Sequence, residues 1–213
     1  MLKLTEDQIA ANLAKFYSYI DKYIKSPRKK KLIEFYKHRE ITLATSPAST
    51  KLHHHNCFAG GYIEHVNRVV DLALVLDRVW DKFGQVKDYT EDELVFCAIN
   101  HDLGKLGTDE QPFYLPNDSS WHVEKQGAHF KYNPALDHMR ISDRSLFYLQ
   151  QAGISMNEKE YLAIKVHDGL YEEANKSYLM PYGHEFEIKS NLSHILHQAD
   201  FTASRIEKQI NSK

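Results

Sequence analysis

Four segments of the chain carry side chains that commonly bind metal ions. Together they contain His65, the pairs His101–Asp102 and His167–Asp168, and Asp200. His65 and Asp200 each lie one helical turn from an apolar residue, so both face the apolar side of a helix. A carboxylate that faces a core is costly unless it is paired or binds a metal. We therefore predict that three helices bring together one set of metal ligands, namely His65, His101, Asp102 and Asp200.

The joint spacing of these residues is stronger evidence than any single member. A lone histidine on an apolar face is more often a satisfied core residue. A histidine–aspartate dipeptide also arises by chance in a chain with 13 histidines among 213 residues. Two imidazoles and two carboxylates form a mixed nitrogen and oxygen site, which suits one divalent ion of Mn, Fe, Ni, Co, Mg or Zn.

Helix-start signals divide the chain into an N-terminal part and a core. Thr5 with Gln8 resembles a capping box and begins a first helix. Ser26-Pro27 begins a second helix, with proline at the first helical position. We predict that residues 1–48 form a helical extension packed on a core of residues 49–213, and that the fold is all-α.

Capping boxes, glycines and apolar periodicity predict five helices in the core. They lie between Gly61 and Gly84, between Thr90 and Gly104, from Asp143 to Gln151, between Asn157 and Gly169, and from Ser190 to Ile210. Residues 106–138 are rich in proline and aromatic residues and predict a long loop, of the kind that often forms a lid. Within it, Gln126-Gly127 predicts the turn of a small hairpin with strands at 121–125 and 128–132. Residues 170–189 predict a second loop.

Composition excludes several classes of protein. The net charge of −2 lacks the basic excess of a nucleic-acid-binding protein. No segment approaches the roughly 18 apolar residues that span a bilayer, and the N-terminus lacks a signal-peptide apolar stretch. The two cysteines form no CxxC pair. We expect a cytoplasmic protein without membrane partners, and the sequence predicts no particular oligomeric state.

In this order, the four segments resemble the HD-domain superfamily of metal-dependent phosphohydrolases. Gly-Gly-Tyr-Ile-Glu-His at 60–65 and His-Asp-Leu-Gly-Lys at 101–105 are similar to the segments that carry the first ligands in that family. Ala-Ile-Lys-Val-His-Asp-Gly at 163–169 and the segment 197–207, with its Ala-Ser-Arg, are similar to two later ones. The resemblance covers about residues 50–210 and implies a helical bundle that holds a metal ion.

The resemblance also implies hydrolysis of a phosphomonoester or phosphodiester, often of a nucleotide. Asp102 would then orient the attacking water or accept its proton, and His167 would protonate the leaving oxygen or bind a second metal ion. Lys105 would balance charge on the phosphoryl group. A lysine that interacts with a helix dipole and a polar core histidine are the alternatives for these last two residues. Substrate contacts are predicted for His54, His55, Arg144 and Arg205, with surface ion pairing as the alternative for the arginines.

Two departures from the family pattern bear on the number of metal ions. Residues 141–144 contain no histidine where some members supply a further ligand, and Asp168 stands in place of a second histidine. We therefore favour one metal ion, while a second one stays possible. Two other functions stay open: a di-iron oxygenase of the same superfamily, and a non-catalytic module that binds a nucleotide. The missing histidines count against the first, and the intact ligand set counts against the second.

Overall fold

The computed structural model describes residues 4–25 and 27–212, without the side chain of His184. Within these residues the chain is mostly helical, which confirms the all-α prediction. The α-helices α1 to α10 span Glu6–Tyr23, Arg28–His38, Glu40–Thr45, Gly61–Lys82, Glu91–Asn100, Ser120–Gln126, Ile141–Gln151, Glu158–Val166, Lys176–Leu179 and Asn191–Asn211. Short 3-10 helices span Leu103–Leu106, Gly169–Tyr171, Glu173–Asn175 and His184–Phe186.

The N-terminal helices share the apolar core of the remaining chain. Helix α1 packs against α4 and α5, and Phe16 and Leu32 are buried in the same cluster as Val66. The guanidinium of Arg28 pairs with Asp92 at the start of α5 and also pairs with Glu160. These contacts connect residues on both sides of the predicted boundary at position 48, which itself stays a prediction.

The start of the second helix differs from the sequence prediction. Pro27 occupies the N-cap and α2 begins at Arg28, so proline is not at the first helical position. Ser26 lies outside the described residues. A third helix, α3, follows α2 before Ser46, because the chain turns only briefly at Arg39.

Helix α10 packs against α4 and α8. Helix α4 is the centre of the bundle and packs against both α5 and α10. Its buried face follows helical periodicity, with Val66, Val69, Val70 and Ala73 fully buried. Complete burial of a valine side chain stabilises a fold by about 1.5–3 kcal/mol. This packing therefore holds the N-terminal part of α4, which carries His65 in its second turn, against the last helix.

The predicted end of the second core helix at Gly104 is wrong. Helix α5 ends at Asn100, and the chain continues through a turn into the 3-10 helix Leu103–Leu106. Gly104 lies inside that 3-10 helix because the backbone there approaches α7 closely. A Cβ at this position would lie 2.4 Å from the carbonyl oxygen of Ile141, and the Gly104 N–H donates to Ser145 Oγ at 2.8 Å.

The hairpin predicted around Gln126-Gly127 is not formed: of its two predicted strands, 121–125 is helical and 128–132 contains a strand. Strand β1 (Tyr114–Pro116) pairs antiparallel with β2 (Phe130–Tyr132). The residues between them include helix α6, which Ser119 caps and which ends at Gly127 in the left-handed conformation. Gly127 thus ends a helix instead of forming a hairpin turn. The second predicted loop, residues 170–189, likewise contains three 3-10 helices and α9.

Among the described residues, none of the helices combines the length and the apolar character needed to cross a membrane.

Candidate metal centre

Helices α4 and α10 and the turn after α5 bring the predicted ligands to one buried point. The Nε2 atom of His65 lies 3.1 Å from Asp200 Oδ1 and 3.6 Å from Asp102 Oδ2. The Nε2 atom of His101 lies 3.5 Å from Asp102 Oδ2 and 3.9 Å from Asp200 Oδ1. His167 joins the same group, with its Nε2 atom 3.5 Å from Asp102 Oδ1. The residues converge from α4, α8, α10 and the turn that follows α5.

His101 and His167 are held by the same local geometry. Each is the C-cap of its helix, α5 and α8 respectively. The last carbonyls of a helix lack partners within the helix. The two histidine rings supply the missing partners. The Nδ1 atom of His101 lies 2.8 Å from the carbonyl oxygen of Ala98. The Nδ1 atom of His167 lies 2.8 Å from the carbonyl oxygen of Ile164. Since a carbonyl only accepts, Nδ1 carries the proton and Nε2 faces the centre.

His65 is oriented by a residue that sequence reasoning missed. Its Nδ1 atom lies 3.0 Å from Glu207 Oε2, and both side chains are fully buried. Arg68 also pairs with Glu207 and with Glu64. A carboxylate behind a ligating histidine fixes its tautomer and makes it a stronger ligand. The available signal was spacing, because Glu207 follows Asp200 by seven residues and therefore lies on the same face of α10.

Three buried nitrogen atoms at this point lack hydrogen bonds. The Nε2 atoms of His65, His101 and His167 have no hydrogen-bond partner among the described residues. An unsatisfied buried polar atom is costly, and a cation between these nitrogens and the two carboxylates would give each nitrogen a partner. The buried histidine and aspartate residues could hold a metal ion, in the groups His65–His101–Asp102 and His101–His167–Asp200.

These two groups describe one centre, because they share His101. The neutral ring has one lone pair on Nε2, and its Nδ1 atom is committed to the carbonyl of Ala98. A single nitrogen lone pair binds one metal ion. A third group, His55–His65–Glu207, would disrupt the hydrogen bond between His65 and Glu207. The two groups therefore overlap in one buried cluster that could hold a metal ion.

The charges at the centre depend on one another. Burial alone would raise the pKa of the Asp102 and Asp200 carboxyls, but neighbouring cations hold both well below the usual range. For Asp102 the strongest of these is Lys105, and for Asp200 it is the ring of His65. Both carboxyls are thus ionised at neutral pH, as metal ligands must be.

The histidines respond in the opposite direction. Burial lowers the pKa of His65, but the carboxylates of Glu207 and Asp200 raise it to about 10. Burial also lowers the pKa of His167, and Asp168 and Asp102 raise it to about 10. In the absence of a cation, protons on these rings offset the buried negative charge. A bound cation would take over that role.

Lys105 lies at the edge of the centre and contacts a predicted ligand directly. Its Nζ atom donates to Asp102 Oδ2 at 2.6 Å, and the side chain is almost fully buried. Burial lowers the pKa of Lys105, but the charge of Asp102 raises it well above its ordinary value. Lys105 therefore stays protonated and keeps Asp102 ionised.

An open cleft of about 270 Å³ leads from the protein surface to this centre. Among the predicted substrate contacts, His54, His55 and Arg205 line it. Five further lining residues were missed by the sequence reasoning: His197, Phe201, Ser204, Lys208 and Tyr171. A larger cavity of about 1080 Å³ lies along residues 173–188 and contains none of the predicted site residues, so size alone does not locate the chemistry.

The structure places Arg144 away from this cleft. Its guanidinium is buried and donates to the carbonyl oxygen of Asp137 at 2.5 Å. It also contacts the hydroxyl of Tyr148 and lies over the ring of Phe113. These contacts hold the long insertion against α7, so nothing in the geometry supports the predicted contact of Arg144 with substrate.

Comparisons of the chain with protein-family models, with curated proteins and with solved structures found no match.

Proposed function

We propose that this chain is a metal-dependent phosphohydrolase of the HD-domain type, which hydrolyses a phosphomonoester or phosphodiester of a small molecule such as a nucleotide. One observation carries the proposal. Three buried imidazole nitrogens without hydrogen bonds face two ionised carboxylates, at the inner end of a cleft that is open to solvent. The order of the motifs along the chain supports the same reaction.

The donor set fits a divalent cation. His65, His101, Asp102 and Asp200 would hold it, and nitrogen and carboxylate ligands together suit the transition metals and Mg. When bound, such an ion lowers the pKa of a water molecule and polarises a phosphoryl oxygen. Glu207 supports this arrangement from behind His65, where it orients the ring.

The remaining buried residues supply the proton chemistry. Asp102 accepts from Lys105 through Oδ2, and its Oδ1 atom lies 3.5 Å from His167. Asp102 therefore orients the attacking water as an ionised carboxylate. The carboxylates of Asp168 and Asp102 raise the pKa of His167, which favours the protonated ring that would donate a proton to the leaving oxygen.

The cleft is suited to a small molecule with a planar group. The rings of Tyr171 and Phe201 line it and lie nearly parallel, with centroids 6.4 Å apart and an interplanar angle of 20°. Exposed aromatic faces of this kind stack on nucleobases. His54 and Arg205 supply polar contacts at the entrance. A nucleotide combines the phosphate and the planar ring that these surfaces accommodate.

Metal analysis of the purified protein, with a hydrolysis screen over phosphomonoesters and phosphodiesters, tests the proposal. We expect about one equivalent of divalent metal and turnover of at least one nucleotide. His101→Ala and Asp102→Ala should each lose both, while His122→Ala, a histidine on the exposed helix α6, should retain both. Full turnover by either of the first two variants would refute the assignment. A protein that binds iron with an optical signature but hydrolyses none of these phosphoesters would favour the oxygenase instead.

A further inference from the structure

Two cations in the cleft lack the carboxylate partners that their neighbours have. Lys105 pairs with Asp102, and Arg68 pairs with Glu207. In contrast, the side chains of Arg205 and Lys208 have no hydrogen-bond or ion-pair partner within residues 4–25 and 27–212, although both line the cleft. Their positive charge is therefore available to a ligand that enters the cleft.

Both cations project from the helix that carries Asp200. Ser204, Arg205 and Lys208 follow Asp200 by four, five and eight residues and line the same cleft. At a rise of 1.5 Å per residue, Arg205 and Lys208 lie about 7.5 Å and about 12 Å further along the axis of α10 than Asp200 does. The cleft thus has an acidic end at the metal centre and a basic end one to two helical turns away.

Another part of the cleft wall lies close to further basic residues. His54 lines this wall. Burial lowers the pKa of His54, and the charges of His53, Lys208 and Lys51 lower it further. The positive charges of Lys51 and Lys208 lie near this ring, and positive charge along the cleft favours an anionic ligand.

We propose that the basic end of the cleft binds a second phosphate of the substrate, so that the substrate is a phosphoester that carries at least two phosphate groups. One phosphate is hydrolysed at the metal centre, and the other is bound by Arg205 and Lys208 without taking part in bond breaking. This inference rests on the proposed function for the first phosphate. The guanidinium of Arg205 can bind phosphate oxygens in a bidentate manner, and Lys208 adds a point charge.

Adenosine 5′-monophosphate, adenosine 5′-diphosphate and adenosine 3′,5′-bisphosphate form a matched series, because the base and sugar stay constant. With the metal-loaded protein we expect kcat/KM for one of the two diphosphorylated compounds to exceed that for the monophosphate by about tenfold or more, as expected for added charge-assisted hydrogen bonds. A preference for the 5′-diphosphate indicates adjacent phosphates, and a preference for the 3′,5′-bisphosphate indicates phosphates on separate carbons.

A double variant, Arg205→Gln with Lys208→Gln, should lower kcat/KM for the preferred diphosphorylated compound by about tenfold more than it lowers kcat/KM for the monophosphate. The matched control is Arg78→Gln with Lys82→Gln, which removes the same charge from exposed positions of α4 outside the cleft. An equal loss of kcat/KM on all three compounds in the Arg205 and Lys208 double variant, or no loss on any of them, would overturn the second-phosphate site.

Direct binding separates this inference from the proposed function. Calorimetry measures the affinity of the metal-loaded protein for inorganic tripolyphosphate and for inorganic phosphate. If the protein hydrolyses nothing but binds tripolyphosphate more tightly, and loses that advantage in the double variant, the second site stands and the enzyme proposal fails. If the protein hydrolyses monophosphates and the double variant binds tripolyphosphate as wild type does, the enzyme proposal stands and the second site fails.

Discussion

The Nδ1 atom of His65 lies 3.0 Å from a carboxylate oxygen of Glu207, and both side chains are fully buried although 142 residues separate them in the chain. A hydrogen bond of this kind leaves Nε2 of His65 as the only nitrogen of the ring that can bind a cation. Helices α4 and α10 meet along this contact. The relationship therefore couples the packing of the bundle to the orientation of a predicted ligand.

Glu207→Gln should weaken metal binding without removing any ligand. An amide is a weaker acceptor than a carboxylate, so His65 loses part of its basicity and its fixed orientation. We expect the metal affinity to fall by about 10- to 100-fold, measured by competition with a chelator. Glu64→Gln is the control, because Glu64 also pairs with Arg68 but does not contact His65. An unchanged affinity in Glu207→Gln would contradict the role of this carboxylate.

Arg144→Met should lower stability and leave substrate affinity unchanged. The guanidinium is buried and donates to the carbonyl of Asp137, and its loss leaves that contact unmade. We expect a loss of about 1–3 kcal/mol in the free energy of unfolding by urea, with KM within about twofold of wild type. Arg140→Met, which removes an exposed pair with Glu172, should cost no more than about 1 kcal/mol. A large rise in KM for Arg144→Met alone would restore its sequence-based role as a substrate contact.

Gly169→Ala should disturb the centre through His197. Gly169 has a φ of +59°, and a Cβ there would lie 2.4 Å from the ring of His197. That ring donates to the carbonyl oxygen of His167 at 2.7 Å. Gly84→Ala is the matched control, since its φ is +87° with nothing within 4 Å of the added atom.

Backbone strain alone should cost about 1–2 kcal/mol in each variant. We expect Gly169→Ala to show a lower melting temperature than Gly84→Ala and also a weaker affinity for metal, which Gly84→Ala should retain. Equal melting temperatures and equal metal affinities would show that His197 yields without affecting His167.

Stability should fall in acid partly through the capping box of α5. Burial works to raise the pKa of Glu93, but hydrogen bonds from the Thr90 backbone N–H and from the Asn157 amide lower it below the ordinary value. A carboxyl with a lowered pKa in the folded state stabilises the fold above its unfolded pKa of about 4.3, and this contribution is lost as the pH falls through the folded value.

Glu93→Gln should therefore be less stable than wild type at pH 7 by on the order of 1 kcal/mol, and the difference should shrink towards pH 3. Chemical denaturation at several pH values measures this. Glu91→Gln, in the same first turn without a capping contact, is the control and should show little pH-dependent difference. A difference that is constant with pH would exclude the ionised form of Glu93 as the stabilising one.

The sequence was sufficient for features that a few neighbouring residues determine. The capping boxes Thr90–Glu93 and Asn157–Glu160 predicted the starts of α5 and α8, and the structure confirms both. A cap satisfies backbone N–H groups within a single turn, so its signal is local and survives any tertiary context. The positions of His101 and His167 at their helix ends also rest on local contacts, because each ring bonds a carbonyl three residues earlier, but the sequence pattern predicted that both helices extend past these residues.

Tertiary structure decided the features that join distant parts of the chain. The contact of Glu207 with His65, the burial of Arg144 under the insertion, and the pairing of β1 with β2 each link residues whose separation along the chain gives no local signal. At Gln126-Gly127, a glycine that is compatible with either a hairpin turn or a helix end became a helix end, because Ser119 caps α6 and the strands pair further away. The metal centre depends on both kinds of information: local helix ends orient two of its rings, and only the packing of α4 against α10 brings the remaining ligands to them.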